Sequence, residues 1–134
     1  MMQGYARDQA STLLRRLAFR LNRAAKVRDA DSIHDLRVAI RRFEQCLRIF
    51  HQFLAGGHRK KIRRRLRKIM QLSGEIRNRD IALDLLKQAG VPAGSALSLR
   101  LLRERQKSQS ELLASFDRWG EGDLLRKWGS RLGL

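Results

Sequence analysis

The sequence contains few of the residues that build sheets, disulfide scaffolds or membrane spans. It has one cysteine, one proline and only eleven valine, isoleucine and threonine residues against twenty-two leucines. Leucine favours helices, whereas β-branched residues favour strands, and a single cysteine, Cys46, cannot form an internal disulfide. No stretch approaches the roughly 18 uncharged apolar residues that cross a bilayer, and polar residues precede the first apolar run. We therefore expect one soluble, cytoplasmic, all-α domain, an antiparallel helical bundle spanning residues 1–134, with Cys46 as a small core residue.

Acidic residues are also scarce. Asp and Glu number 13 against 30 Lys and Arg, which gives a formal charge of +17, and twenty-three of the cations are arginine. A net charge of this size indicates what kind of partner the protein binds and says nothing about its fold. The arginine fork binds phosphate oxygens two at a time. The composition therefore favours nucleic acid, another phosphate polymer or an anionic membrane surface as the partner.

The periodicity of apolar residues and the positions of glycine, proline and capping residues divide the chain into helices. Asp31 or Ser32 is expected to cap the second helix, and Ser73-Gly74 is expected to loosen or bend the chain, with Asn78 as the next cap. A last break is expected at Gly120 and Gly122. The predicted helices cover Gln3 to Arg28, Ser32 to at most Leu54, His58 to Leu72, Arg79 to Ala89, Ser95 to Phe116 and Asp123 to Leu132.

The segment from Ile33 to Phe50 is half core and half basic. At about 100° per residue, one face collects Leu36, Ile40, Phe43, Leu47 and Phe50. The other face collects His34, Arg37, Arg41, Gln45 and Arg48, with Arg42 at its edge. His34 is expected in the first helical turn, where free backbone N–H groups also attract anions. Between Arg37 and Lys68 there are twelve cations and one acid, Glu44. Solvated faces usually mix both signs, so this pattern predicts an anion site.

The helix that follows carries its apolar residues in a narrow stripe and cations almost everywhere else. We expect Arg64, Arg67 and Lys68 to contact the ligand, whereas Arg59 and Lys60 contribute a general field. For Arg77, and for Arg79 with Asp80, two interpretations stay open: a structural ion pair at a helix junction or a contact to the ligand. The arginines of the first helix receive no role from the sequence beyond lying off its leucine stripe.

The sequence lacks the residue patterns that a metal site, acid–base catalysis or a glycine-rich phosphate loop requires. His51 and His58 have no carboxylate or cysteine spaced to complete a metal site, no two acids are placed for acid–base work, and there is no glycine-rich phosphate loop. We therefore expect that the protein is not an enzyme and that it binds neither a metal nor a cofactor. The basic rows carry no aromatic residue, although proteins that bind single strands usually stack bases on aromatic rings. A phosphate chain without bases therefore fits better than RNA or DNA, which remains the alternative.

Two segments resemble the CHAD family, the conserved histidine α-helical domain. Its signature, His-Asp-x-Arg-hydrophobic-x-x-Arg-Arg, matches His34-Asp35-Leu36-Arg37-Val38-Ala39-Ile40-Arg41-Arg42. A second segment, Leu-Gly-x-x-Arg-Asp-x-Asp-Val, is similar to Leu72 to Ile81 with one residue inserted after Leu72. In that segment Asn78 replaces the first Asp and Ile81 the Val, so the surroundings of Arg77 are less acidic than is usual in the family.

The resemblance implies a non-catalytic helical protein that binds inorganic polyphosphate, in the cytoplasm and associated with polyphosphate granules. Family members are typically about twice this length and place two bundles around a basic channel. The resemblance assigns His34, Arg37, Arg41 and Arg42 to that channel, joined by Arg67, Lys68 and Arg77; the basic rows add Arg48 and Arg64. Because this chain holds one copy of the motif, the resemblance implies a homodimer that rebuilds the channel.

Overall fold

Leucine-rich periodic segments form helices throughout the computed structural model, which describes residues 1–117 and 121–134. The described residues contain five α-helices and no strand, which confirms the all-α prediction. None of these helices is apolar over a length that could cross a bilayer. The break expected at Gly120 lies outside the described residues, whereas the break expected at Gly122 is wrong, because the last helix already begins at Glu121. The helices are α1 (Met2–Val27), α2 (Ala30–Ile49), α3 (Arg59–Gln88), α4 (Ala96–Asp117) and α5 (Glu121–Arg131), with a 3₁₀ turn (His51–Phe53) after α2.

The helices pack in antiparallel pairs, α1 with α2 and α3 with α4, and α2 joins the pairs by packing on α3. The predicted apolar face of α2 is confirmed from Leu36 to Leu47, whereas Phe50 is only partly buried. In α5, Trp128 stacks on Phe43 with ring centroids 6.1 Å apart. Cys46 lies in the core as predicted, and burial raises the pKa of its thiol.

Helix α2 begins earlier than predicted, because Asp29 and not Asp31 or Ser32 is its cap. The Asp29 carboxylate accepts a hydrogen bond from the Ser32 N–H at 2.8 Å, and the Ser32 hydroxyl donates to the Asp29 carbonyl oxygen at 3.0 Å. The first of these bonds lowers the pKa of Asp29. The Ile33 N–H already donates to the Asp29 carbonyl oxygen at 3.2 Å. His34 therefore lies past the first turn of α2. The prediction that free backbone N–H groups lie beside it is wrong.

Helix α3 runs without interruption for 30 residues, so the predicted break at Ser73-Gly74 and the new cap at Asn78 are wrong. Gly74 has a different use. A Cβ there would lie 2.9 Å from Nη1 of Arg37, which belongs to α2. The missing side chain lets a guanidinium lie directly on the helix surface, which is a contact that only glycine permits.

Two ion pairs connect α3 with α4. Arg105 Nε lies 2.6 Å from Asp80 Oδ1, with both side chains less than a fifth exposed, and Arg79 lies 3.1 Å from Glu104. Arg105 also donates to the carbonyl oxygen of Arg28 at 2.9 Å, which ties α4 to the turn before α2. Asp80 and Arg79 thus have structural roles, but each pairs with a residue of α4 and not with the other.

Candidate polyanion-binding site

The structure does not bring the nine predicted site residues onto one surface: six of them line grooves on opposite sides of α2, whereas Arg37, Lys68 and Arg77 line neither. Within the described part of the chain, none of the nine lies within 4 Å of a carboxylate of the protein itself. His34 and Arg42 face α1, whereas Arg41 and Arg48 face α3. The single row expected from the sequence is therefore two surfaces.

The surface between α2 and α3 is a groove of about 370 Å³ lined by four arginines, Arg41, Arg48, Arg63 and Arg67. Two depressions of about 220 Å³ each adjoin it and share some of these arginines. One adds Arg59 and His51, and the other adds Lys60 and Arg64. Because the three share residues, they form one continuous surface. We call it the basic track, which consists of Arg41, Arg48, Arg59, Lys60, Arg63, Arg64 and Arg67.

The four arginines of the main groove meet for a simple reason. Each directly follows a fully or almost fully buried residue: Ile40, Leu47, Ile62 or Leu66. One step along a helix turns the side chain by about 100°, so each guanidinium lies at the edge of the α2–α3 interface and not on its far side. Sequence reasoning missed Arg63, and its position after the buried Ile62 is the signal that could have found it.

Among the described residues that line the groove, the one acid is Glu44, and none of the four guanidinium groups pairs with its carboxylate within 4 Å. The charge of the track is therefore not neutralised by the protein. Arginines held side by side in this way can donate charge-assisted hydrogen bonds to the oxygens of a bound anion. In the part of the chain that the structure describes, no phenylalanine, tyrosine or tryptophan lines the track.

The sequence predicted that Arg37 points away from the core and that its side chain is free for a ligand. The structure places the side chain differently. Its Nη1 donates to the Met70 carbonyl oxygen at 2.6 Å and to the Ser73 hydroxyl at 3.1 Å. The guanidinium thus bridges α2 and α3, across Gly74. We call this contact the Arg37 bridge.

Like charges surround the Arg37 bridge. Burial, and then the charges of Arg41 and Arg77, lower the pKa of Arg37 below its ordinary value. Arginine stays protonated at neutral pH even so. The three guanidinium groups therefore repel one another at the Met70 end of the groove, and an anion bound there would relieve this repulsion.

The surface on the other side of α2 is a groove of about 740 Å³ between α1 and α2, which we call the α1–α2 groove. Arg15, Arg16 and Arg20 line it from α1, and His34 and Arg42 line it from α2. The sequence had given the α1 arginines no role, because nothing in their spacing shows which helix α1 packs against. Lys68, in contrast, is exposed and lines neither surface.

The described residues contain no cluster of three or more His, Cys, Asp or Glu that could hold a metal ion. The arrangement of the cations suits binding of an anion by charge and hydrogen bonds.

In comparisons with known proteins, the family model of the CHAD domain matches residues 8–133, which include both surfaces. No curated protein and no solved structure gives a significant match.

Proposed function

The chain belongs to the CHAD family, and from this we propose that it is a non-catalytic protein that binds inorganic polyphosphate along the basic track. The observation that carries the proposal is the continuity of the track: six arginines and one lysine adjoin one another, with Glu44 as the only acid among the described residues that line it. A chain of phosphates is the ligand that matches an unbroken line of unpaired cations.

Binding would proceed by exchange of counterions. The guanidinium groups replace the ions condensed on the phosphate chain, so affinity should fall steeply as salt rises. By analogy with single-stranded nucleic acid, about six phosphate contacts would cost roughly 2–3 decades of affinity between 50 and 200 mM salt. Burial, and after it the charges of Arg41 and Arg77, lower the pKa of Arg37, so an anion bound near Arg41 would relieve part of the repulsion among these three guanidinium groups.

The test is a double charge reversal, Arg63→Glu with Arg67→Glu. Both side chains are exposed, so the variant should keep its helicity by circular dichroism and lose polyphosphate binding in a titration. The matched control is Arg103→Glu with Lys107→Glu on α4, which has the same four-residue spacing, exposure and change of net charge. If both variants lose affinity equally, net charge and not the track binds the ligand.

The alternative ligand is RNA or DNA. The described residues of the track include no phenylalanine, tyrosine or tryptophan on which bases could stack, which is why we favour the base-free polymer. Long polyphosphate should therefore displace RNA at matched phosphate concentration. Displacement in the reverse order would favour nucleic acid.

We also propose that two copies pair to extend the track. The sequence holds one copy of the family motif, and the α3–α4 hairpin exposes apolar side chains that could form the contact: Ile81, Leu85, Leu97, Leu99 and Leu102. Two protomers at +17 repel each other, so bound polyphosphate should strengthen the pair if it binds the dimer better. Sedimentation at fixed salt, with and without polyphosphate, tests this; a monomer in both runs would contradict it.

A further inference from the structure

The α1–α2 groove differs in chemistry from the basic track, because it contains an aromatic ring. Phe19 of α1 is 58% exposed and lines the groove beside apolar wall residues, Leu13, Val38 and Ala39. Cations stand along the same groove. The sequence alone indicated that no aromatic residue accompanies the basic rows, and the packing of α1 on α2 brings one there.

The cations of this groove are only slightly compensated. Asp35, the one acid among the described residues of the groove, lies 3.4 Å from Arg20. The Arg20 guanidinium also lies 5.3 Å from the centroid of the Phe19 ring. Arg15, Arg16 and Arg42 lie within 4 Å of no carboxylate in the described part of the chain. The groove therefore offers an aromatic surface and, beside it, at least three unpaired guanidinium groups.

The volume of the α1–α2 groove and its single aromatic ring limit the kinds of ligand that would fit it. Sites for small molecules usually measure about 300–1,000 Å³, and this groove measures about 740 Å³. A single strand of nucleic acid is usually bound on several successive rings, whereas Phe19 is the only phenylalanine, tyrosine or tryptophan among the described residues that line this groove.

We propose that the α1–α2 groove is a second binding site, which takes a nucleoside polyphosphate. The base stacks on the exposed part of the Phe19 ring. Arg15, Arg16 and Arg42 bind the phosphates, and His34 is placed to donate one further hydrogen bond. This site does not depend on polyphosphate binding along the basic track, which lies on the other side of α2; His34 and Arg42, which the resemblance assigned to the polyphosphate channel, line the α1–α2 groove instead.

The experiment compares ATP with inorganic tripolyphosphate by calorimetry, in the presence of a chelator and at fixed salt. Tripolyphosphate carries at least as much negative charge as ATP, so a preference for ATP cannot come from charge. Base stacking on an aromatic ring predicts that ATP binds roughly 5- to 100-fold more tightly. Equal affinities, or tighter binding of tripolyphosphate, would overturn the proposal.

Phe19→Ala should remove the preference for ATP and leave the affinity for tripolyphosphate unchanged, whereas Phe19→Tyr should keep the preference. The matched control is Tyr5→Ala. Tyr5 lies on the same helix and is 56% exposed, but it is outside the groove. A preference for ATP that survives Phe19→Ala, or that Tyr5→Ala also removes, would overturn the proposal.

Two further measurements separate this site from the basic track. Arg63→Glu with Arg67→Glu should keep the preference for ATP over tripolyphosphate even if it loses long polyphosphate. Loss of that preference in this variant would place the nucleotide on the track and refute the second site. An RNA oligonucleotide that binds much more tightly than ATP at equal nucleotide concentration would refute the choice of a single nucleotide.

Discussion

Replacing Gly74 with alanine sets two effects of opposite sign against each other. In the interior of an ordinary helix, alanine in place of glycine stabilises by about 0.5–1 kcal/mol. At this position the new Cβ would lie 2.9 Å from Nη1 of Arg37. Because atoms cannot approach that closely, the end of the Arg37 side chain has to move. The Arg37 bridge is then lost.

The loss outweighs the gain. Nη1 of Arg37 donates to the Met70 carbonyl oxygen at 2.6 Å and to the Ser73 hydroxyl at 3.1 Å. Hydrogen bonds from a charged group contribute about 1.5–3 kcal/mol each. We count the loss of one of the two, because the displaced guanidinium regains hydrogen bonds to water. After subtraction of the helix propensity, we expect Gly74→Ala to lower the free energy of unfolding by about 1–2 kcal/mol.

Urea unfolding followed by circular dichroism measures this free energy. The same substitution is then made in an Arg37→Met background, where no guanidinium stands in the way. There Gly74→Ala should raise the free energy of unfolding by about 0.5–1 kcal/mol. The matched control is Gly129→Ala in α5, where a Cβ would meet no atom within 4 Å; it should stabilise both backgrounds alike.

The reasoning fails if Gly74→Ala has the same effect with Arg37 and without it. A coupling free energy near zero would mean that the guanidinium shifts at no cost. The hydrogen bonds of the Arg37 bridge would then contribute nothing to the packing of α2 on α3.

Three further predictions concern single side chains. Arg105→Met should lower the free energy of unfolding in urea by about 3 kcal/mol, because it leaves the nearly buried carboxylate of Asp80 without its partner. Arg79→Met should lower it by at most about 1 kcal/mol, since the Arg79–Glu104 pair is about a third exposed. Equal losses in the two variants would contradict this. The hydrogen bond that Asp29 accepts at the start of α2 lowers its pKa below the ordinary 3.8. Its contribution to stability should therefore be complete above pH 3.8 and disappear as the pH falls through the lowered pKa, and Asp29→Asn should remove this pH dependence of unfolding. Burial raises the pKa of the Cys46 thiol, so alkylation by iodoacetamide should follow global unfolding, and rapid labelling of the folded protein would contradict the assigned burial.

Local periodicity was enough to predict the helical class and most of the core. The apolar faces of α2 and of the first half of α3 are buried where their spacing placed them, at Leu36, Ile40, Phe43 and Leu47 and at Ile62, Leu66 and Ile69. The errors lie where residue types have more than one use. Gly74 was interpreted as a break because glycine often ends helices, but here it admits a guanidinium. Asp29 and Asp31 could both cap a helix, and only the turn at residue 28, with φ of 61°, decides between them.

The sequence by itself determined that cations would lie along the edges of apolar stripes, because side-chain direction on a helix depends only on the position in the repeat. It could not determine what stands opposite each cation, because that neighbour belongs to another helix. Only the tertiary structure directed Arg37 onto α3, joined Arg41 and Arg48 with Arg63 and Arg67, and brought Phe19 beside His34. Such contacts arise from the packing of α1 and α3 on α2, which depends on the interlocking of whole helix surfaces.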